Sequence, residues 1–498
     1  AIDALTVEFT LCGSDPAFLS KVAFSPFAIN DTASLEKAAP DVSIVRNPNG
    51  TGPYKLKEWV QGDHITLEAS PTFWGEAPKA QEVIVKWSTE AAQRLVELQS
   101  GNADGIDNPG PTDFETIQND PNLKLYPREG LNVFYVGMNN TYPPFDNVKV
   151  RQAIAMGIDR QRIVDNFMPP GSSVASHFTP CAIPNGCVGD EWYEFDKTAA
   201  KALLAEAGFP DGFKTTIHLR DVVRGYLAQP VIVAQDIQAQ LKANLNIDAT
   251  IDVQESGTFI DNADSGKLDG IHLLGWGADY PDVTNFLDYH FGAGSSAQFG
   301  NKYPDIVAAL QEGAKGASDA IREPSYVTAN NAIKANVPMV PISHAGSATA
   351  FKADVEGAHS SPLTSEMFSV MKPGDRSQLV FIQNGEPAGI YCADETDGEA
   401  LRVCEQINEA LYGFEVGGTA AIPMLATACT PNADLSAWTC TLRENVVFQD
   451  GATFDANDVV LSYAVQWDAE HPLHKGRDGS FTYFPSLWGG FLNPPPAE

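Results

Sequence analysis

Short runs that alternate polar and apolar side chains recur along the chain, separated by stretches in which apolar residues return every three or four positions. The period-two runs predict strands at 5–11, 83–87, 132–137, 215–219, 250–253, 379–382 and 438–442. The 3.6-residue pattern predicts helices at 91–100, 148–156, 197–207, 230–243, 401–411 and 456–466. Boundary residues sharpen two of these. Asp196 precedes the helix at 197–207, and Gly208 and Pro210 follow it; Gly101 sits where a left-handed residue ends the helix at 91–100. Strands and helices intermix throughout, without internal repeats, so the expected fold class is α/β. Three loops are rich in breakers: 40–53, 168–187 and the tail 489–498, which is expected to be mobile.

At 498 residues the chain is long enough for about three domains or lobes at ~150 residues each. A formal charge of -32 repels phosphate backbones and anionic headgroups, which argues against nucleic-acid or membrane-surface partners. The first residues alternate like a strand and lack a basic, signal-type region, so the chain is expected to be either cytosolic or a mature form whose leader has been removed, and cysteine usage favours the second. Six of the seven cysteines form local couples, Cys181 with Cys187, Cys392 with Cys404 and Cys429 with Cys440. Their spacing does not match zinc knuckles, and closing short loops suits disulfides in an oxidising compartment; reduced, buried cysteines are the alternative. Cys12, left over in a strand-like run, is expected to be a buried free thiol.

Catalytic signatures are missing: no G-x-S-x-G, no H-E-x-x-H and no G-x-x-x-x-G-K-[ST] occurs. His272 and His344 lie among apolar neighbours, as core histidines do. The acidic run 394–399 lacks a calcium-loop register and reads as the cap and first turn of the following helix, with a tip that can face a ligand. No cofactor is implied. One motif carries binding chemistry. Gly275-Trp276-Gly277-Ala278-Asp279-Tyr280-Pro281-Asp282 follows an apolar run at 271–274, which places an aromatic platform and a carboxylate at a strand's tip. That pairing suits a cationic or amine-bearing small molecule; a turn with a packing Trp is the plain alternative.

Several segments resemble family 5 extracellular solute-binding proteins of ATP-binding-cassette importers, the dipeptide, oligopeptide and nickel-binding group. Asn49-Gly50-Thr51-Gly52-Pro53-Tyr54 resembles the family's G-T-G-P-Y segment, and Leu98-Gln99-Ser100-Gly101-Asn102-Ala103-Asp104 its L-x-S-G-x-x-D element. The run 144–154, PFDNVKVRQAI, is similar to the P-F-x-D-x-x-V-R-Q-A segment, and 201–210 to K-x-L-L-x-E-A-G-F-P. The Trp276–Asp279 motif itself resembles G-W-x-A-D-Y. The order departs from the family: the L-R-x-x-V-x-F-x-D-G element, Leu442 to Gly451, comes last here and early in relatives. The simplest account is a circular permutation, with old ends joined near 371–378 and new ends opened between Leu473 and Ala4. A clean cut of this kind suggests engineering, and a ligand sensor is the purpose it suggests.

The resemblance implies a two-lobed, type II periplasmic-binding-protein-like fold. A base lobe with the hinge would comprise 50–130 and 345–411, an extra subdomain 412–498 and 1–49, and a second lobe 131–344. It implies a monomeric binding protein, not an enzyme, that sits outside the cytoplasm, lipid-anchored in the natural parent, and hands its ligand to a membrane permease. Asp279 would meet a ligand amine beside Trp276 and Tyr280, Arg224 a ligand carboxylate (Arg220 being the alternative), and Tyr412, Asp394 and Glu395 would reach the cleft. Gly277 and the acidic run depart from family pattern and leave peptide-like, amine-bearing and sugar-like ligands open. A metal-complex binder and a hydrolase on the same scaffold are the alternatives; scattered histidines and the absent catalytic pairs count against them.

Overall fold

The computed structural model describes residues 1–494. It forms two compact units, the first from Ala1–Arg128 with Ala348–Glu498 and the second from Glu129–Ser347. The first unit takes in the expected extra subdomain and the expected base lobe except for 129–130 and 345–347, which belong to the second unit.

A seven-stranded sheet organises the first unit, in the order Tyr54–Val60, His64–Ala69, Glu82–Trp87, Gln378–Gln383, Gly105–Asp107, Ser347–Lys352, Leu123–Arg128. Gln378–Gln383 runs parallel to both neighbours and is buried on both faces near the middle, where Leu379 and Phe381 join the core. Antiparallel strands Thr6–Thr10, Ala437–Leu442 and Ala426–Pro431 make a second sheet from opposite ends of the chain. Helix Ala456–Trp467 packs on it through Tyr463, whose ring meets Phe9 edge-on at 5.0 Å.

In the second unit a six-stranded sheet runs Asp248–Gln254, Lys214–Arg220, Ile271–Gly277, Asn132–Met138, Met339–His344, Ser173–Val174. The first three strands are parallel, which aligns their carboxyl ends at one edge of the sheet. Asn132–Met138 is antiparallel to its neighbours, so its first residue lies at that edge too. There Asn132 grips Ala345 twice, Nδ2 donating to its carbonyl at 2.8 Å and Oδ1 accepting its N–H at 2.9 Å. Both chain connections to the first unit therefore leave from the edge that carries the loops described below.

All seven expected strands and all six expected helices form, most within two residues of the expected ends. The helix expected at 401–411 is displaced: it spans Gly398–Ile407, because Asp397 caps it by accepting the Ala400 N–H at 2.8 Å. The longest helix, Asp319–Asn336, was not anticipated; Pro324 and a polar sequence hide its period, while Tyr326, Ala329 and Ile333 supply its buried face. Disulfides join Cys181 to Cys187, Cys392 to Cys404 and Cys429 to Cys440, the couples expected from spacing. Cys12 corrects an expectation: it is exposed, because the strand ends at Thr10 and the thiol lies in the bend beyond. The tail is less loose than expected over its described part, since Leu492 donates to the Trp467 carbonyl at 3.0 Å and Asn493 bridges Asp468; 495–498 lie outside the described residues. Among the described residues, no helix is long and apolar enough to cross a membrane.

Candidate functional site

Strand Ile271–Gly277 is buried from Ile271 to Gly275 and emerges at Trp276 and Gly277, so the chain reaches the surface at the carboxyl edge of the sheet. Asp282 then starts helix Val283–Phe291 by accepting the Thr284 N–H at 2.9 Å. The loop between strand and helix is held by Asn285, which is fully buried. Its Oδ1 accepts both the Trp276 indole N–H at 3.1 Å and the Asp279 backbone N–H at 3.0 Å, and its Nδ2 donates to the Asp279 carboxylate at 2.9 Å. One amide thus orients the indole and the carboxylate together. Tyr289 stacks on Trp276 with centroids 4.1 Å apart, and His290 meets the indole edge-on at 5.1 Å.

Below the loop, Arg322 forks onto Asp282 at 2.7 and 2.8 Å and holds that carboxyl below its ordinary range against the opposing effect of burial. Tyr280 is buried, its hydroxyl 3.1 Å from Thr284 Oγ1, so it supports the loop from beneath. His290 and His272 are buried, and desolvation lowers their pKa values to about 3 and about 4, which keeps both rings neutral. Asp279 and Trp276 remain partly exposed.

Arg224 occupies the loop after strand Lys214–Arg220, at the same edge. It closes a tight turn with Leu227, and its guanidinium donates to the Val223 carbonyl at 3.3 Å. Tyr226 joins this loop to the Trp276 strand: a Cβ at Gly275 would lie 2.3 Å from its ring, so glycine lets the ring settle on the strand. Arg220 donates to Tyr226 at 3.4 Å and to Ser256 Oγ at 3.0 Å. The second unit therefore brings Trp276, Asp279, Tyr280 and the Arg224 loop to one edge.

The other nominated residues lie in the first unit and are engaged there. Asp394 is buried and accepts the backbone N–H groups of Asp478, Gly479 and Phe481 at 3.0, 2.9 and 3.0 Å. Glu395 beside it meets Arg477 Nε at 3.1 Å; burial raises its pKa to about 7 against the pull of that guanidinium. Tyr412 is buried, its hydroxyl accepting the Cys429 N–H at 3.1 Å. Near it, the buried Glu409 carboxylate accepts the Trp74 indole N–H at 2.8 Å. Desolvation pushes Glu409 up to about 7, and Arg443 lies over the Trp74 ring at 3.8 Å. Among the described residues, no group of three or more His, Cys, Asp or Glu is disposed to hold a metal.

A family model described as "Bacterial extracellular solute-binding proteins, family 5 Middle" matches residues 1–298 and 420–480, more than half of the chain. The chain belongs to the bacterial extracellular solute-binding proteins of family 5. A dipeptide-binding protein of Pseudomonas aeruginosa is 30% identical over 74% of this chain and 70% of its own length. A di/tripeptide-binding protein of the same species is 31% identical over 69% of this chain and 65% of its own. Among solved structures, the periplasmic binding protein DppA of Helicobacter pylori, in complex with the peptide STSA, superposes with a TM-score of 0.62 at 25% identity, over 70% of this chain and 68% of that one.

Three site residues of this family 5 member escape sequence reasoning: Asn285, Tyr289 and Tyr226. Asn285 lies six positions from Asp279 and nine from Trp276, a spacing with no periodic meaning across a loop.

Proposed function

We propose that this chain captures a small peptide-like solute bearing a protonated amine and hands it to the permease of an ATP-binding-cassette importer outside the cytoplasm. The supporting observation is the Trp276–Asp279 loop. Its indole and carboxylate are fixed by one buried amide and partly exposed at the carboxyl edge of a parallel strand set, where ligands of such sheets bind. In this reading Asp279 meets the amine by a charge-assisted hydrogen bond, Trp276 provides a wall, and Arg224 stands ready for a ligand carboxylate. Family membership, the names of the relatives and three disulfides support the compartment and the solute class. The protein acts as a monomer and catalyses nothing.

Chain order is part of the proposal. A circular permutation accounts for a family match in two blocks and for a sheet built from Thr6–Thr10 and Ala437–Leu442. It also accounts for a central strand, Gln378–Gln383, that directly follows the junction at 371–378. Segments 1–49 and 412–498 then form the extra subdomain, and a ligand sensor is the use such a chain suits.

A thermal-shift screen of dipeptides, simple sugars and metal salts tests the solute class: at a hundredfold excess over Kd a true ligand adds about 2.7 kcal/mol of stability. Stabilisation by amine-bearing peptides supports the reading, and stabilisation by sugars or metals alone overturns it. A chain reopened between 371 and 378, with its present ends linked, should fold with the same affinity; failure to fold would refute the permutation.

A further inference from the structure

Helix Val283–Phe291 carries both Asn285 and Tyr289, so the way it starts decides where Trp276 and Asp279 stand. That start is fastened at Asp282, which takes hydrogen bonds on both carboxylate oxygens. Oδ1 accepts the Thr284 N–H at 2.9 Å, the Thr284 hydroxyl at 2.7 Å and Arg322 Nη2 at 2.8 Å; Oδ2 accepts Arg322 Nη1 at 2.7 Å. Because the Thr284 hydroxyl donates to Asp282, it accepts from the Tyr280 hydroxyl 3.1 Å away. Asp279 is thus tied through Asn285, Tyr280 through Thr284, and Asp282 through Thr284 and Arg322. Asn285 and Thr284 belong to the helix that the loop feeds. Arg322 comes from a different one.

Arg322 lies near the start of helix Asp319–Asn336, 40 positions after Asp282, and is buried. Tyr326, Ala329 and Ile333 pin that helix to the core. The guanidinium also donates to the Tyr326 hydroxyl at 3.1 Å and to Asp319 at 3.4 Å. Its space is closely cut: a Cβ at Gly316 would lie 2.5 Å from the Arg322 side chain, and one at Gly313 would lie 2.9 Å from the Tyr326 ring. A cation this early in a helix is disfavoured by that helix's own dipole, so the placement of Arg322 serves its neighbour. A planar guanidinium that meets a carboxylate through two bonds fixes direction as well as distance. It therefore sets the start of Val283–Phe291 in one orientation, three positions before Asn285, whose N–H donates back to the Asp282 carbonyl at 3.0 Å.

We propose that Arg322 is a positioning residue of the solute site: through Asp282 it sets the helix that carries Asn285 and Tyr289, and so aims the Asp279 carboxylate and the Trp276 indole without touching the ligand. This rests on the reading that the Trp276–Asp279 loop receives the solute, but it also makes a prediction for the empty protein. With the fork in place, the Asp279 amide and the Trp276 indole N–H stay on Asn285 Oδ1 and exchange slowly. With the fork gone, the helix start shifts and both open more often while the sheet beneath stays closed.

Hydrogen exchange of the ligand-free protein is the test, read at the Asp279 amide and at the Trp276 indole, whose signal is identified by its loss in Trp276→Phe. Arg322→Lys keeps the buried charge and removes the fork; Asp282→Asn keeps a capping oxygen for Thr284 and removes the ionic partner, so the two variants challenge the fold differently. Each should speed exchange at both sites by about tenfold, while the amide of Val136, in the middle of the six-stranded sheet, keeps its native rate. Each should also weaken binding of the dipeptide alanyl-phenylalanine by about tenfold, and the double variant should lose little more, since the two residues form one device. Native exchange at Asp279 and Trp276 in both variants would overturn the proposal. So would exchange that rises equally at Val136, which would reduce Arg322 to a support of the fold as a whole. A native protein that binds no dipeptide would instead refute the solute reading, and the exchange rates would still decide the role of Arg322.

Discussion

Asp394 in the first unit and Asp279 in the second both belong to loops that the sequence nominates for ligand contact, and the fold treats them differently. Asp394 is 3% exposed, and three backbone N–H groups of the 478–481 segment converge on it. Elsewhere the first unit encloses more charge: Asp107, Arg128, Glu366 and Arg402 form a closed ring of ion pairs at 2.6 to 3.0 Å, all four buried. Asp279 instead stands at the surface end of a strand, with its carboxylate oriented by the side chain of Asn285. A carboxylate surrounded by its own backbone organises folding. One held at a sheet edge by a side chain is positioned for something that arrives later.

The largest effect should come from the ring. Arg402→Met leaves Asp107 and Glu366 buried with Arg128 alone and should cost about 3–5 kcal/mol in urea denaturation. A loss under about 1 kcal/mol would mean that the ring is dispensable and that the contrast between the units is overstated. Asp394→Ala should cost roughly 2–4 kcal/mol, because three donors lose their acceptor at once, whereas Asp279→Ala should change stability by less than about 1 kcal/mol. Equal losses at the two aspartates would erase the distinction.

Glu409 sharpens the comparison through pH. Its folded pKa of about 7 lies above the unfolded carboxyl value near ~4.3, so between these values the folded state keeps a proton that the unfolded state has lost. Its contribution to stability is therefore highest below about pH 4 and falls as pH rises to about 7. Glu409→Gln should flatten that fall and gain roughly 1–3 kcal/mol at pH 8, read from denaturation midpoints at several pH values. Asn285→Ala should have the smallest effect on folding of the buried changes, about 1–2 kcal/mol, but should weaken ligand binding about tenfold by releasing Trp276 and Asp279 together.

What the sequence discloses follows the range of the interaction. Strands and helices with a clean period, such as Ala91–Ser100 and Ala437–Leu442, were legible because their burial pattern is local. The disulfides were legible for the same reason, their cysteines being 6, 12 and 11 positions apart. The ring of charges was not: Arg402 reaches Asp107 across 295 positions and Arg128 reaches Glu366 across 238. Within the candidate site, Trp276 and Asp279 stood out as a motif, but Asn285, which orients both, is defined only by the path of the loop. Asp394 illustrates the converse. Its local sequence suggested a cap or an exposed tip, and its actual partners begin 84 positions later.

The claim that Asp279 receives a ligand amine is tested most directly by calorimetric titration of one dipeptide and its N-acetylated form against the native protein and Asp279→Asn. The account predicts that acetylation and the substitution each weaken binding by about a hundredfold, about 2.7 kcal/mol, and that the two losses do not add, since each removes the same charged pair. Equal affinity for both forms in the native protein, or a full further loss on acetylation in Asp279→Asn, would contradict it.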